Sequence, residues 1–130
     1  MQNWKKAELS ELIGAVVTEV SDKNALLTLY CRDGRVFRFI HHQDCCESVY
    51  LESQTPKRVK SVLAGYKIVQ AESVSSDKVG ITDDEMNTAD DESYTWTFYK
   101  IASTRGYLTL RFYGSSNGYY SESVDFEKAE

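Results

Sequence analysis

The chain has 130 residues, 42% hydrophobic and 12% aromatic, enough for one domain with an ordinary core and too apolar for a disordered chain. Its formal net charge of −5 excludes a nucleic-acid binder working through a general basic field and suits an acidic surface that meets a basic partner. No apolar run is long enough to cross a membrane as a helix.

Residues 3–13 predict a short helix with Leu9, Leu12 and Ile13 on one side and Gly14 as its stop. The first six residues lack the apolar core of a signal peptide. A strand over 15–20 and a turn over 21–24 come next. Strands over 26–32 and 35–41 then flank Asp33-Gly34, the sequence of a two-residue type I′ turn. That turn sets Arg32 against Arg35, Tyr30 against Phe37, Thr28 against Phe39 and Leu26 against His41. Side chains alternate along a strand, so His41 shares a face with Phe37 and Phe39, and His42 shares the other with Ile40. The adjacent histidines are therefore not a joint chelate.

The next stretch, His41-His42-Gln43-Asp44-Cys45-Cys46-Glu47-Ser48-Val49, gathers imidazoles, thiols and carboxylates in one place. Alternation over 47–51 turns Val49 and Leu51 to the core, with Glu47 on the same face. Thr55 as N-cap and Pro56 at the first position open a helix. Its apolar stripe is Val59, Val62 and Leu63, its wet side Lys57, Arg58 and Lys60, and its stop Gly65.

A strand over 66–74 leads to residues 75–93, which carry Asp83, Asp84, Glu85, Asp90, Asp91 and Glu92 and read as a long acidic loop. Such a run is either a solvated, mobile loop or an acidic arm for a basic partner groove. The second reading makes these six the candidate partner-binding residues.

Strong β formers over 94–101, a turn at 103–106 and a strand over 107–113 follow. After a loop at 114–118, residues 119–126 read as the returning strand. A two-residue Asn117-Gly118 turn would set Leu110 against Asp125 and Phe112 against Ser123, which the pairing rule disfavours. A one-residue shift puts Val124 and Phe126 with Leu108, Leu110 and Phe112, and turns Glu122 inward. The segments 46–52 and 121–127 also echo one another around Glu-Ser-Val, with 71–74 repeating the tripeptide. Two related units facing each other would bring Glu47 and Glu122 near a common site.

His41 and Cys45 stand at a His-x3-Cys spacing with Asp44 and Cys46 beside them. Zinc takes imidazole, thiolate and carboxylate ligands in a tetrahedron, and inward Glu122 offers the ligand from elsewhere. The candidate metal set is thus His41, Asp44, Cys45, Cys46 and Glu122, with zinc as cofactor. A plainer reading makes the cysteines small buried hydrophobes and His41 a hydrogen-bonded residue paired with a carboxylate. A Cys–His nucleophile or a carboxylate pair for glycoside chemistry lacks further support. No phosphate loop, dinucleotide fingerprint, zinc-protease helix or serine elbow occurs. Three cysteines, two adjacent, do not form a secreted disulfide framework and predict a reduced, cytoplasmic protein in its host cell.

The blocks His41-x-Gln-Asp-Cys-Cys-Glu-Ser-Val, Tyr94-Thr-Trp-Thr-Phe-Tyr and Ser116-Asn-Gly-Tyr-Tyr-Ser-Glu-Ser-Val resemble the signature blocks of a small family of unknown function, common in phages and prophages. The resemblance runs over 12–127, and in the family pattern the position of His41 is the histidine while that of His42 varies. It implies a phage-borne accessory protein and no particular reaction. The sequence is also compatible with a metal-binding inhibitor of Cas9-type CRISPR effectors.

The expected fold is α+β in a single domain: a largely antiparallel, twisted sheet of about seven or eight strands with one or two short helices. The expected function is non-enzymatic inhibition of a host defence protein, such as a CRISPR nuclease whose channel is basic, through the acidic surface. The alternatives are a metal- or thiol-dependent hydrolase, or a sponge for a small signalling molecule lined by the Tyr-rich 94–99 and 119–120 surfaces.

Overall fold

The computed structural model describes residues 3–52, 55–76, 93–116 and 121–130. Among the described residues, nine strands form two antiparallel sheets. One holds β1 (Trp4–Lys6), β9 (Asp125–Ala129), β4 (Val36–Ile40), β3 (Leu27–Cys31) and β2 (Val17–Ser21), in that order. The other holds β5 (Ser48–Leu51), β8 (Tyr107–Ser116), β7 (Ser93–Ser103) and β6 (Ile68–Ser76). The α+β class and antiparallel pairing are as expected, but the strands divide between two sheets instead of one.

Their inner faces meet around Leu27, Leu29, Phe37, Phe39, Leu110 and Phe112, all fully buried. The helix α1 (Pro56–Leu63) packs on β2, β7 and β8. Thr55 Oγ1 accepts from the Arg58 N–H at 3.2 Å, and Val59, Val62 and Leu63 are buried as their spacing predicts.

The N-terminal segment is not the helix that its leucines suggested. Trp4–Lys6 pairs with β9, and Leu9–Leu12 makes a single 3-10 turn that buries Leu9 and Leu12 and leaves Ile13 half exposed. The Arg38 guanidinium covers the Trp4 ring at 4.2 Å, a contact with no local sequence signal.

The β3–β4 hairpin is one residue out from the two-residue reading. Leu27 pairs with Phe39, Leu29 with Phe37 and Tyr30 with Val36. The Cys31 N–H donates to Arg35 O at 2.9 Å, so the loop has three residues, and Gly34 takes the positive φ of 95°. This register sets the four large apolar side chains on one face, whereas the two-residue turn opposed Phe37 to Tyr30.

A larger difference concerns β9, which does not return beside β8. It crosses to the other sheet and pairs with β4, Phe126 opposite Phe39. In the same way β5 leaves the β3–β4 hairpin and pairs with β8, Leu51 opposite Phe112. Each hairpin therefore sends its Glu-Ser-Val strand to the other hairpin's edge, and the sequence echo becomes a reciprocal exchange. Phe39 and Phe112, equivalent in the two units, stack at 5.7 Å between the sheets. Val124 and Phe126 face inward, as alternation predicted, on a different neighbour.

Candidate functional site

The two exchanged segments carry the chemistry-bearing residues. In the first, His41 continues the inward face of β4 and Glu47 precedes β5; their side chains are 4% and 0% exposed. The His41 Nε2 lies 2.8 Å from Glu47 Oε2 and its Nδ1 lies 2.7 Å from Ser123 O. Each ring nitrogen thus has an oxygen within hydrogen-bond distance. Glu47 also accepts from the N–H groups of Asp44 and Cys45, each at 2.9 Å, and from the Gln43 amide at 3.1 Å. Burial pushes this carboxyl up, but the Cys45 and Asp44 N–H groups and the His41 ring outweigh it and hold it at about 2.

Of the expected zinc ligands, His41 is thus engaged at both nitrogens, and Asp44 contributes a backbone N–H to Glu47 while its residue stays exposed. Cys45 and Cys46 are exposed, and their sulfurs are bonded to each other, where the sequence suggested thiolates or buried apolar groups in a reduced chain. Glu122 lies in the second segment with partners of its own. Among the described residues these five do not converge; the trio whose ligand atoms do is His42, Asp125 and Glu127. That trio extends the outward side of β4 and β9. His42 Nε2 stands 2.8 Å from Glu127 Oε2, and Arg38 Nη2 stands 2.7 Å from Glu127 Oε1 as a built-in counter-charge. The acidic residues Asp83, Asp84, Glu85, Asp90, Asp91 and Glu92 lie outside the described residues.

In the second segment, Glu122 is buried on the wall of a cavity of about 490 Å³ between the 121–124 segment and the β6–β7 strands. Thr95 Oγ1 donates to Glu122 Oε1 at 2.9 Å, and the Ser116 hydroxyl donates to Oε2. Ser73, Thr97, Tyr99, Ser121 and Ser123 add hydroxyls to the lining. The Tyr99 hydroxyl donates to Val124 O at 3.1 Å; burial, then the nearby Asp125, pushes its pKa up to about 12 and keeps it a neutral donor.

A glycine lets the segment sit there. A Cβ on Gly114 would stand 2.7 Å from Glu122 O and 2.8 Å from Glu122 Cβ. Aligning Phe39 with Phe112 places Gly114 where the first unit has His41, so one unit fills this place with a ring and the other with the second segment's backbone.

A second cavity, of about 330 Å³, shares Ser73, Tyr99 and Val124 with the first and is bordered by Lys6, Glu8, Glu11, Asp125 and Phe126. The two adjoin on one side of the β6–β7 strands, hydroxyls line the first, and the buried Glu122 lies on its wall. Sequence reasoning found inward Glu122 and Glu47 but not Thr95, Thr97, Ser116 or Gly114. The signal available was Thr95, Thr97 and Tyr99 on one face of a single strand.

Among the described residues, no helix is long and apolar enough to cross a membrane. Comparison with curated proteins and with solved structures finds no match. A family profile matches residues 10–126, and on that match the chain belongs to the DUF7448 family, a domain of unknown function.

Proposed function

We propose that the protein is a non-enzymatic binding protein that takes a small polar molecule into the cleft between the 121–126 segment and the β6–β7 strands. The observation that carries this reading is the buried carboxylate of Glu122 on a hydroxyl-lined cavity of about 490 Å³. The groups that a hydrolase would draw on are engaged in holding the fold: His41 bonds to Glu47 and Ser123, and Cys45 is joined to Cys46. This favours the sponge over the hydrolase among the sequence alternatives.

Ligand-observed NMR with cationic, neutral and phosphate-bearing small molecules tests it, alongside Ser73→Trp, which places a bulky ring from an exposed β6 position into both cavities. Binding that the substitution abolishes, with the ligand recovered unchanged, is the expected result. Turnover of the ligand, or binding indifferent to the substitution, contradicts it.

In the phage setting that the sequence resemblance implies, withdrawing a small molecule is one way to blunt a host response. Direct inhibition of a host defence nuclease through Asp83, Asp84, Glu85, Asp90, Asp91 and Glu92 is a separate proposal, carried by the sequence charge alone. Charge reversal at those positions, with loss of inhibition and of its salt dependence, is its test.

A further inference from the structure

We infer that the cleft's ligand is a small aliphatic amine carrying more than one ammonium group, and that Glu122 receives one of them. The inference rests on the binding reading above and gives it a chemical class.

Among the described residues three glutamates are buried: Glu47, Glu122 and Glu127. Glu47 has the His41 ring against it, and Glu127 has Arg38 and His42. Glu122 has two hydroxyl donors and, among the described residues, no cationic partner. A carboxylate offers about four acceptor positions, so two hydroxyls leave it half satisfied. A buried charge in that condition is costly unless a cation meets it, and the cavity beside it is where a cation can enter.

The surrounding charge points the same way. Among the described residues, no Lys or Arg lines the first cavity. In the second, Lys6 is outnumbered by Glu8 and Asp125, while Glu11 is tied to Lys128 at 2.8 Å. A phosphate-bearing ligand would meet Glu122 in the first cavity and a net acidic lining in the second, whereas an ammonium gains charge-assisted hydrogen bonds. The two cavities are neighbours that share Ser73, Tyr99 and Val124 in their linings, so a ligand with two charged ends finds an acidic group in each. The apolar walls at Val124 and Phe126 suit an alkyl chain, with a second ammonium toward Asp125 and Glu8.

Isothermal titration of the full chain with spermidine tests this, with ribose as the neutral probe and AMP as the anionic one. Glu122→Gln keeps the shape and the hydroxyl partners and removes the charge. Spermidine should bind one per chain, and Glu122→Gln should weaken it about tenfold or more at an unchanged melting temperature. Should that variant melt lower, Asp125→Asn and the salt dependence of wild-type binding are read instead, and insensitivity to both overturns the inference. Equal spermidine affinity in wild type and Glu122→Gln also overturns it. Ribose or AMP seated in the cleft and blocked by Ser73→Trp, with no amine binding, overturns the amine assignment and leaves the binding reading standing. No binding by any of the three removes both.

Discussion

The Nε2 of His41 stands 2.8 Å from the Glu47 carboxylate, and neither side chain is open to solvent. Through its other nitrogen the same ring holds Ser123 O, so one imidazole ties together the two segments that the hairpins exchange. His41→Ala removes both contacts and leaves the buried Glu47 carboxylate short of a donor. We expect the melting temperature to fall by roughly 5–10 °C, measured by circular dichroism. His42→Ala, at a half-exposed side chain, should change it by less than about 3 °C.

Stability should fall with acid in a defined window. Glu47 is held at about 2, against 4.5 for an ordinary glutamate, so its folded form binds its proton at lower pH than its unfolded form. Its contribution is therefore present above pH 4.5 and is lost as pH falls toward about 2. Glu127, raised by burial and lowered further by its His42 and Arg38 bonds, acts with the same sign. Urea unfolding from pH 7 down to pH 2.5 should show this loss, and Glu47→Gln should flatten it.

Gly114→Ala should destabilise the protein by about 1–3 kcal/mol, because the new methyl meets the Glu122 backbone, which cannot swing aside as a side chain can. Gly106→Ala, with nothing within 4 Å, is the control and should be close to neutral. Chemical denaturation of the pair gives the comparison directly.

Phe39 touches Tyr99, Phe112 and Phe126, drawing both sheets and the exchanged β9 onto one ring. Truncation to alanine should cost about 3–5 kcal/mol, a large share of a typical domain's stability. A broadened or lost unfolding transition would be the calorimetric sign.

Since His41 is held by Glu47 and Ser123, EDTA should leave the melting temperature unchanged within about 1 °C. One zinc per chain by elemental mass spectrometry, with a fall of several degrees on chelation, would restore His41, Asp44, Cys45, Cys46 and Glu122 as a ligand set.

Alternation and capping made much of this structure legible in the sequence. Thr55-Pro56 marked the helix start, the inward turn of Val49 and Leu51 followed from period two, and that of Glu122, Val124 and Phe126 from period two once the apolar pair was set inward. Partners were another matter. Nothing local in residues 119–126 tells β8 from β4 as neighbour, because both present a phenylalanine on the inward face, and the choice depends on how the sheets close over one another. Trp4 was read as helix for the same reason, since its strand exists only through β9 and the Arg38 guanidinium. His41 was recognised as inward and paired with a carboxylate in one reading, but the sequence left that reading beside the zinc set. Their separation required the 2.8 Å contact to Glu47 and the hydroxyls around Glu122.

The most direct test of ligand binding in the cleft is an amide NMR titration of the isotope-labelled protein with spermidine. Shifts concentrated on Ser73, Thr95, Thr97 and residues 121–124, absent in Ser73→Trp, are the predicted result. Shifts scattered over the acidic surface and retained in Ser73→Trp would contradict the account.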